Sequence, residues 1–284
     1  MVKNAAPILS GMLALLLSAA PATAEGEPYE PIEPLFTERA FLDHAIELGA
    51  QWSDESDGNA VEVAAALEYI VWKRLEVDVE VPVGINIPNH GDTEADLSDI
   101  DFAVQALLCC DNGTILDFFS IRASVAAPTG NRSKGIGGDG SWEISVLPGR
   151  YFTIVPQLPA LLTQLQLSYT QEIRLDDEER ETASEFGLSK SREKSFLWNL
   201  AFAQPYFDGL LKPVFEILGT TIVDDVSDDD EGTIVELGGG LWLAPHAESR
   251  WLRSLSYRIG FKWPATSRKE DHAVGVFVLE WDLN

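Results

Sequence analysis

From Leu75 to Ile85 the chain reads Leu-Glu-Val-Asp-Val-Glu-Val-Pro-Val-Gly-Ile, aliphatic at every odd position and polar or small at every even one. A β-strand sends successive side chains to opposite faces, so this spacing predicts a strand with one aliphatic face and one bearing Glu76, Asp78 and Glu80. Carboxylates placed this way cannot face a dry core, because each would lose its water without gaining a partner. The strand therefore separates something oily from something wet.

The same alternation recurs in twelve segments: 44–52, 61–71, 75–85, 99–108, 118–128, 141–149, 161–173, 195–204, 213–222, 233–243, 254–263 and 273–283. In the fourth, Ile100, Phe102, Val104 and Ala106 oppose Asp99, Asp101, Ala103 and Gln105; in the eleventh, Leu255, Tyr257, Ile259 and Phe261 oppose Ser256, Arg258, Gly260 and Lys262. No helical spacing competes, and the chain reads as all-β. The links after odd-numbered segments, 53–60, 87–98, 129–140, 174–194, 223–232 and 264–272, hold acidic stretches such as Asp176 to Glu181 and Asp224 to Glu231. Links after even-numbered segments tend to be shorter or less charged, such as Trp72-Lys73-Arg74, with 150–160 and 244–253 as exceptions. Long polar loops at one end, short turns at the other and an even strand count predict an antiparallel up-and-down transmembrane β-barrel of about twelve strands. Trp52, Tyr69, Trp142, Tyr169, Trp198, Trp263 and Trp281 stand near strand ends or on apolar faces, where an interfacial girdle needs them. A soluble β-sandwich, with its polar faces outward, is the competing reading.

Composition narrows the setting. Lys3, the apolar run Ile8–Ala20 and Ala22-Thr23-Ala24 predict a secretory signal peptide over residues 1–24. Residues 25–40, with Pro28, Pro31 and Pro34, read as an extended lead-in, and 41–284 as one barrel domain. No later run approaches the roughly 18 apolar residues of a spanning helix. A formal net charge of −26 argues against nucleic acid as a partner, since phosphate binding needs clustered Lys and Arg. The expected address is the outer membrane of a Gram-negative bacterium, with lipid and a small solute as partners. The two cysteines, Cys109 and Cys110, fit neither a disulfide framework nor a zinc site; a strained local bridge and two buried small residues at a turn both remain open.

Two stretches carry a resemblance: Pro34-Leu35-Phe36-Thr37-Glu38-Arg39, and Ala127-Pro128-Thr129-Gly130-Asn131-Arg132-Ser133-Lys134-Gly135-Ile136-Gly137. With Leu67-Glu68-Tyr69 and Arg74-Leu75-Glu76-Val77 they make the chain resemble the family of the MetA pathway of phenol degradation. That resemblance implies an outer-membrane β-barrel of transporter type, passing small molecules, aromatic or hydrophobic ones among them. The chain departs from many such barrels by ending Trp281-Asp282-Leu283-Asn284 instead of on phenylalanine.

If the apolar faces meet lipid, the inner wall carries Glu47, Glu62, Glu68, Glu76, Asp78, Glu80, Asp99, Asp101, Glu280 and Asp282 against Arg122, Arg258 and Lys262. Such a wall favours cations or neutral solutes over anions, as rings of Asp and Glu do. Alternatively these acids only make structural ion pairs with the three bases. A lumen plugged by protein is compatible with either. Catalysis has little to stand on: His44, His90, His246 and His272 fall at a strand start or in links, and no Gly-x-Ser-x-Gly elbow occurs. The expectation is no enzyme and no cofactor, with an outer-membrane lipid hydrolase or deacylase, or a purely structural or binding barrel with a plugged lumen, as alternatives. Gly130–Gly140 lacks the spacing of a phosphate loop and reads as a flexible external loop, and the acidic run 224–231 reads as solvated rather than as a calcium loop.

Overall fold

The computed structural model describes residues 34–55, 58–110, 116–134, 136–153, 160–173, 194–207, 209–224, 232–244, 254–266 and 273–283. The expected signal peptide, most of the acidic run 224–231, His246 and His272 lie outside these residues. The strands are β1 (Ala45–Glu55), β2 (Gly58–Trp72), β3 (Leu75–Pro88), β4 (Glu94–Leu97), β5 (Ile100–Cys110), β6 (Phe118–Ala127), β7 (Ser141–Phe152), β8 (Leu161–Glu172), β9 (Lys194–Ala203), β10 (Leu211–Asp224), β11 (Gly232–Leu243), β12 (Leu255–Pro264) and β13 (Val274–Asp282).

Twelve of them close into an antiparallel barrel. Each pairs with its neighbours in chain order, β1 pairs with both β2 and β13, and the ring has no free edge. Closure satisfies the backbone of every stave without water, the condition for a sheet in hydrocarbon. β4 is additional: β3 pairs with β5 over Leu75–Glu80, then runs on and pairs with β4 over Val83–Asn86. One expected external link contracts. β1 and β2 pair out to Glu55 and Gly58, so the ladder takes up most of the link expected over 53–60.

Alternation decides which face is which. The odd positions of β3, the even positions of β5 and their counterparts on the other strands point outward: Leu48, Val63, Val81, Val104, Phe277 and Ile259 are all exposed, Ile259 by 56%. The inside holds the polar set, with Gln105, Ser120, Ser145, Gln164, Glu216 and Glu280 all buried. A soluble sandwich buries its aliphatics, so this inversion overturns the soluble reading and marks an exterior made for lipid. Aromatics pair on the outer surface: Trp142 with Tyr169 at 5.4 Å between ring centroids and Phe261 with Trp263 at 5.1 Å. No helix among the described residues is long and apolar enough to span a membrane.

The apolar core is small and lies inside, near the short-turn end. Leu162, Ala203, Val214 and Trp242 form it, and Leu35, Phe118 and Tyr151 pack against it. Leu35 belongs to no strand. It comes from the segment that precedes β1.

Candidate functional site: the barrel interior

Residues 34–44 lie inside the barrel. This backbone has no ladder of its own, and a buried amide without a partner is costly, so the wall supplies side-chain partners one after another. Glu216 on β10 accepts from the amides of Leu35 (2.5 Å) and Phe36 (3.1 Å) and from Thr37 Oγ1 (2.6 Å). Gln166 and Gln164 on β8 accept from the amides of Glu38 (3.0 Å) and Ala40 (2.9 Å). From β5, Gln105 Nε2 donates to the carbonyls of Arg39 and Phe41, both at 3.1 Å, and Ser120 on β6 donates to that of Ala40. Glu76 accepts from the amide of Asp43.

Apolar contacts seat the segment as well. On facing strands β11 and β12, Gly240 and Gly260 are register partners. A methyl group on Gly260 would stand 2.5 Å from Leu35 Cδ1, so the bare backbone there admits Leu35; one on Gly240 would stand 2.6 Å from it and only 2.2 Å from the Ile259 carbonyl oxygen. Gly238 leaves similar room for the ring of Phe36.

Three guanidinium groups tie the segment to the acidic side. Arg39 pairs with Glu68 (2.6 Å) and Glu76 (3.0 Å); Arg122 on β6 pairs with Glu38 (3.0 Å) and Asp78 (3.4 Å). Arg258 on β12 pairs with Glu47 (2.5 Å) and Glu280 (3.3 Å) and donates to the carbonyl of Pro34 (3.4 Å). Lys262 pairs with Glu236 at 2.9 Å.

Beside the segment lies a cavity of about 440 Å³, lined by Glu38, Glu47, Glu68, Asp78, Glu80, Asp101 and Glu143 and by only three bases, Arg39, Arg122 and Arg258. Glu80 and Asp101 stand directly opposite each other on β3 and β5. Among the described residues neither forms an ion pair with a base. A second space of about 240 Å³ near the long-loop end holds Glu62 with Gln51, Asn86 and Ile136.

The structure thus brings together Glu68, Asp78, Glu80, Asp101, Arg122 and Arg258 around one cavity, with Glu76 buried behind Arg39. Glu62 sits apart, and Lys262 faces Glu236. Asp99 precedes β5, and its carboxylate accepts from loop amides beyond the wall. Arg39, Glu38 and Glu216 are absent from the expected wall, because residues 25–40 read only as an extended lead-in and Glu216 stands in a poorly alternating segment. The available signal was the run Gly238-Gly239-Gly240 with Gly260, which leaves an unfilled inner wall that something else must fill. His44 Nδ1 accepts from the amide of Ile70 at 3.3 Å and its ring packs edge-on to Tyr69, and His90 is exposed. The side chains of Cys109 and Cys110 lie outside the described residues.

No family profile and no curated protein matches the chain. Among solved structures it is similar to the COG4313 outer membrane channel from Pseudomonas putida F1, with TM-score 0.60 and 11% identity over 88% of this chain and 99% of that one. It is also similar to the NanC porin, at TM-score 0.53 and 9% identity over 84% of this chain and all of that one. The β domain of the Bordetella autotransporter BrkA matches at TM-score 0.51 and 12% identity, over 85% of this chain and 100% of that one. The shared feature is the fold, a closed barrel of the outer-membrane type.

Proposed function

We propose that this protein is an outer-membrane channel for passive passage of small solutes, narrowed from within by residues 34–44 and selective for cations and neutral molecules over anions. The observation that carries this reading is the acidic cavity: seven carboxylates face three guanidinium groups, and Glu80 and Asp101 stand opposite each other, neither ion-paired with a base among the described residues. In a pore with low-dielectric walls, uncompensated charge of one sign concentrates the counter-ion. The channel and porin among the structural neighbours support the class, and the inverted faces of the barrel support the membrane setting.

Membership of the MetA pathway family, with small hydrophobic or aromatic solutes, is the finer form of this proposal. It is supported by Pro34–Arg39, which is the segment seated in the lumen, and by Ala127–Gly137, which forms the connection after β6. The decisive measurement is reversal potential across a planar bilayer under a tenfold potassium chloride gradient. A potential of cation-selective sign is expected, and it shrinks when Glu80→Gln and Asp101→Asn are combined. Anion preference in the unaltered protein defeats the acidic-wall reading.

A further inference from the structure

The β6–β7 connection does not stand clear of the barrel. Asp99, between β4 and β5, accepts hydrogen bonds from the amides of Gly130 (2.8 Å), Gly138 (2.7 Å) and Gly140 (2.9 Å). Gly138 and Gly140 have φ of +100° and +64°, a backbone conformation that glycine adopts without steric cost and that turns these amides toward one carboxylate. On β4, Asp96 pairs with Lys134 Nζ and accepts from Asn131 Nδ2, both at 2.9 Å. Asn86 on β3 donates to the carbonyl of Lys134 at 3.4 Å.

These anchors aim one apolar side chain inward. Ile136 is 4% exposed although it belongs to an external connection, and it lies on the inner face of β3. The wall residue beneath it is Gly84, where a methyl group would stand 2.7 Å from Ile136 Cγ2. Elsewhere the inner face of β3 carries Glu76, Asp78 and Glu80, so the missing side chain at Gly84 makes a socket for Ile136. Around that contact lies the 240 Å³ space with Gln51, Ala60, Glu62 and Asn86.

We propose that residues 129–134 and 136–140 form a lid over the extracellular mouth, pinned by Asp99 and bolted by Ile136 in the Gly84 socket. It acts at the opposite end of the lumen from the seats of residues 39–44 and is released separately from them. The proposal rests on the channel reading, but its test does not. The probe is the rate at which a membrane-impermeant charged maleimide labels Ala60→Cys, in the full chain with Cys109→Ser and Cys110→Ser, reconstituted in phospholipid vesicles.

Labelling is slow with the lid intact and at least about tenfold faster with Asp99→Ala, which removes the shared acceptor of three amides. Gly84→Val, which fills the socket, and Ile136→Ser, which removes the bolt and keeps the pin, accelerate it likewise. Heat-modifiable mobility shows that each variant is a closed barrel, and Ile136→Ser carries the test if Asp99→Ala does not close. Equal labelling rates in the parent and in every closed variant overturn the lid. Faster labelling in variants that pass no current leaves the lid standing and removes the channel reading instead.

Discussion

Glu216 shows how much one side chain can organise. It is fully buried on β10, and its carboxylate takes two amides and a hydroxyl from three consecutive residues of the inner segment. An acceptor that serves three buried donors contributes more than one serving a single donor, and removing it leaves those donors buried without partners. Glu216→Ala is therefore expected to destabilise the barrel by about 3 kcal/mol. Urea unfolding in detergent micelles checks this, and conductance should rise in the same variant as Leu35 and Phe36 come free. Glu216→Gln keeps an acceptor at the position and should recover part of the loss. None of this was legible in the sequence, where Glu216 is an isolated acid in the weakest alternating segment. Its role depends on residues about 180 positions earlier in the chain.

At the scale of elements, β4 and its loop respond to acid in a definite direction. Hydrogen bonds from Lys134, Asn131 and the Leu97 amide hold the Asp96 carboxyl down at about 2. The same contact raises Lys134 above its ordinary value, with the neighbouring Glu94 charge adding a smaller push. A lowered acid contributes stability that is complete above its unfolded pKa and is lost as pH falls through the folded one. A raised base contributes below its unfolded pKa and loses it at higher pH. The Asp96–Lys134 pair should thus hold the loop from about pH 4 to about pH 10. Between about pH 4 and pH 10 the Ala60→Cys labelling rate, corrected for thiol ionisation, should therefore show no step, and a step near pH 6 would disprove the assignment.

The twelve barrel strands were legible because one face meets lipid and the other water, which imposes a period of two along most of their length. Leu75–Ile85 and Ser254–Trp263 show it almost without interruption. β4 was not legible, because Glu-Ala-Asp-Leu is too short to establish a period and only exists by pairing with the overhang of β3. The inner segment was invisible for a related reason: its hydrogen bonds go to side chains scattered over distant strands, so no local pattern records them. Gly130–Gly140 looked flexible from composition alone, yet Asp99, read as a wall residue, ties three of its amides.

For the molecule as a whole, the test of its setting is the outer surface. Ile259 lies at the middle of β12, opposite Leu241 and Phe277 on the neighbouring strands. A charge there would sit near the bilayer midplane, and Ile259→Arg should cost about 2–4 kcal/mol. Unfolding from phospholipid vesicles measures that cost, whereas a surface residue in water would show almost none.

The seam of the hoop joins opposite ends of the chain, for Ala50 meets Phe277. Bringing such distant residues together at one stroke carries the largest loop-closure cost in the molecule. The rod formed by residues 34–44 divides that cost, because it is fastened to staves from both halves, β3, β5 and β6 on one side and β8, β10 and β12 on the other. It serves as a mandrel: once residues 34–44 are seated on both halves, the final ladder has only a short gap left to cross.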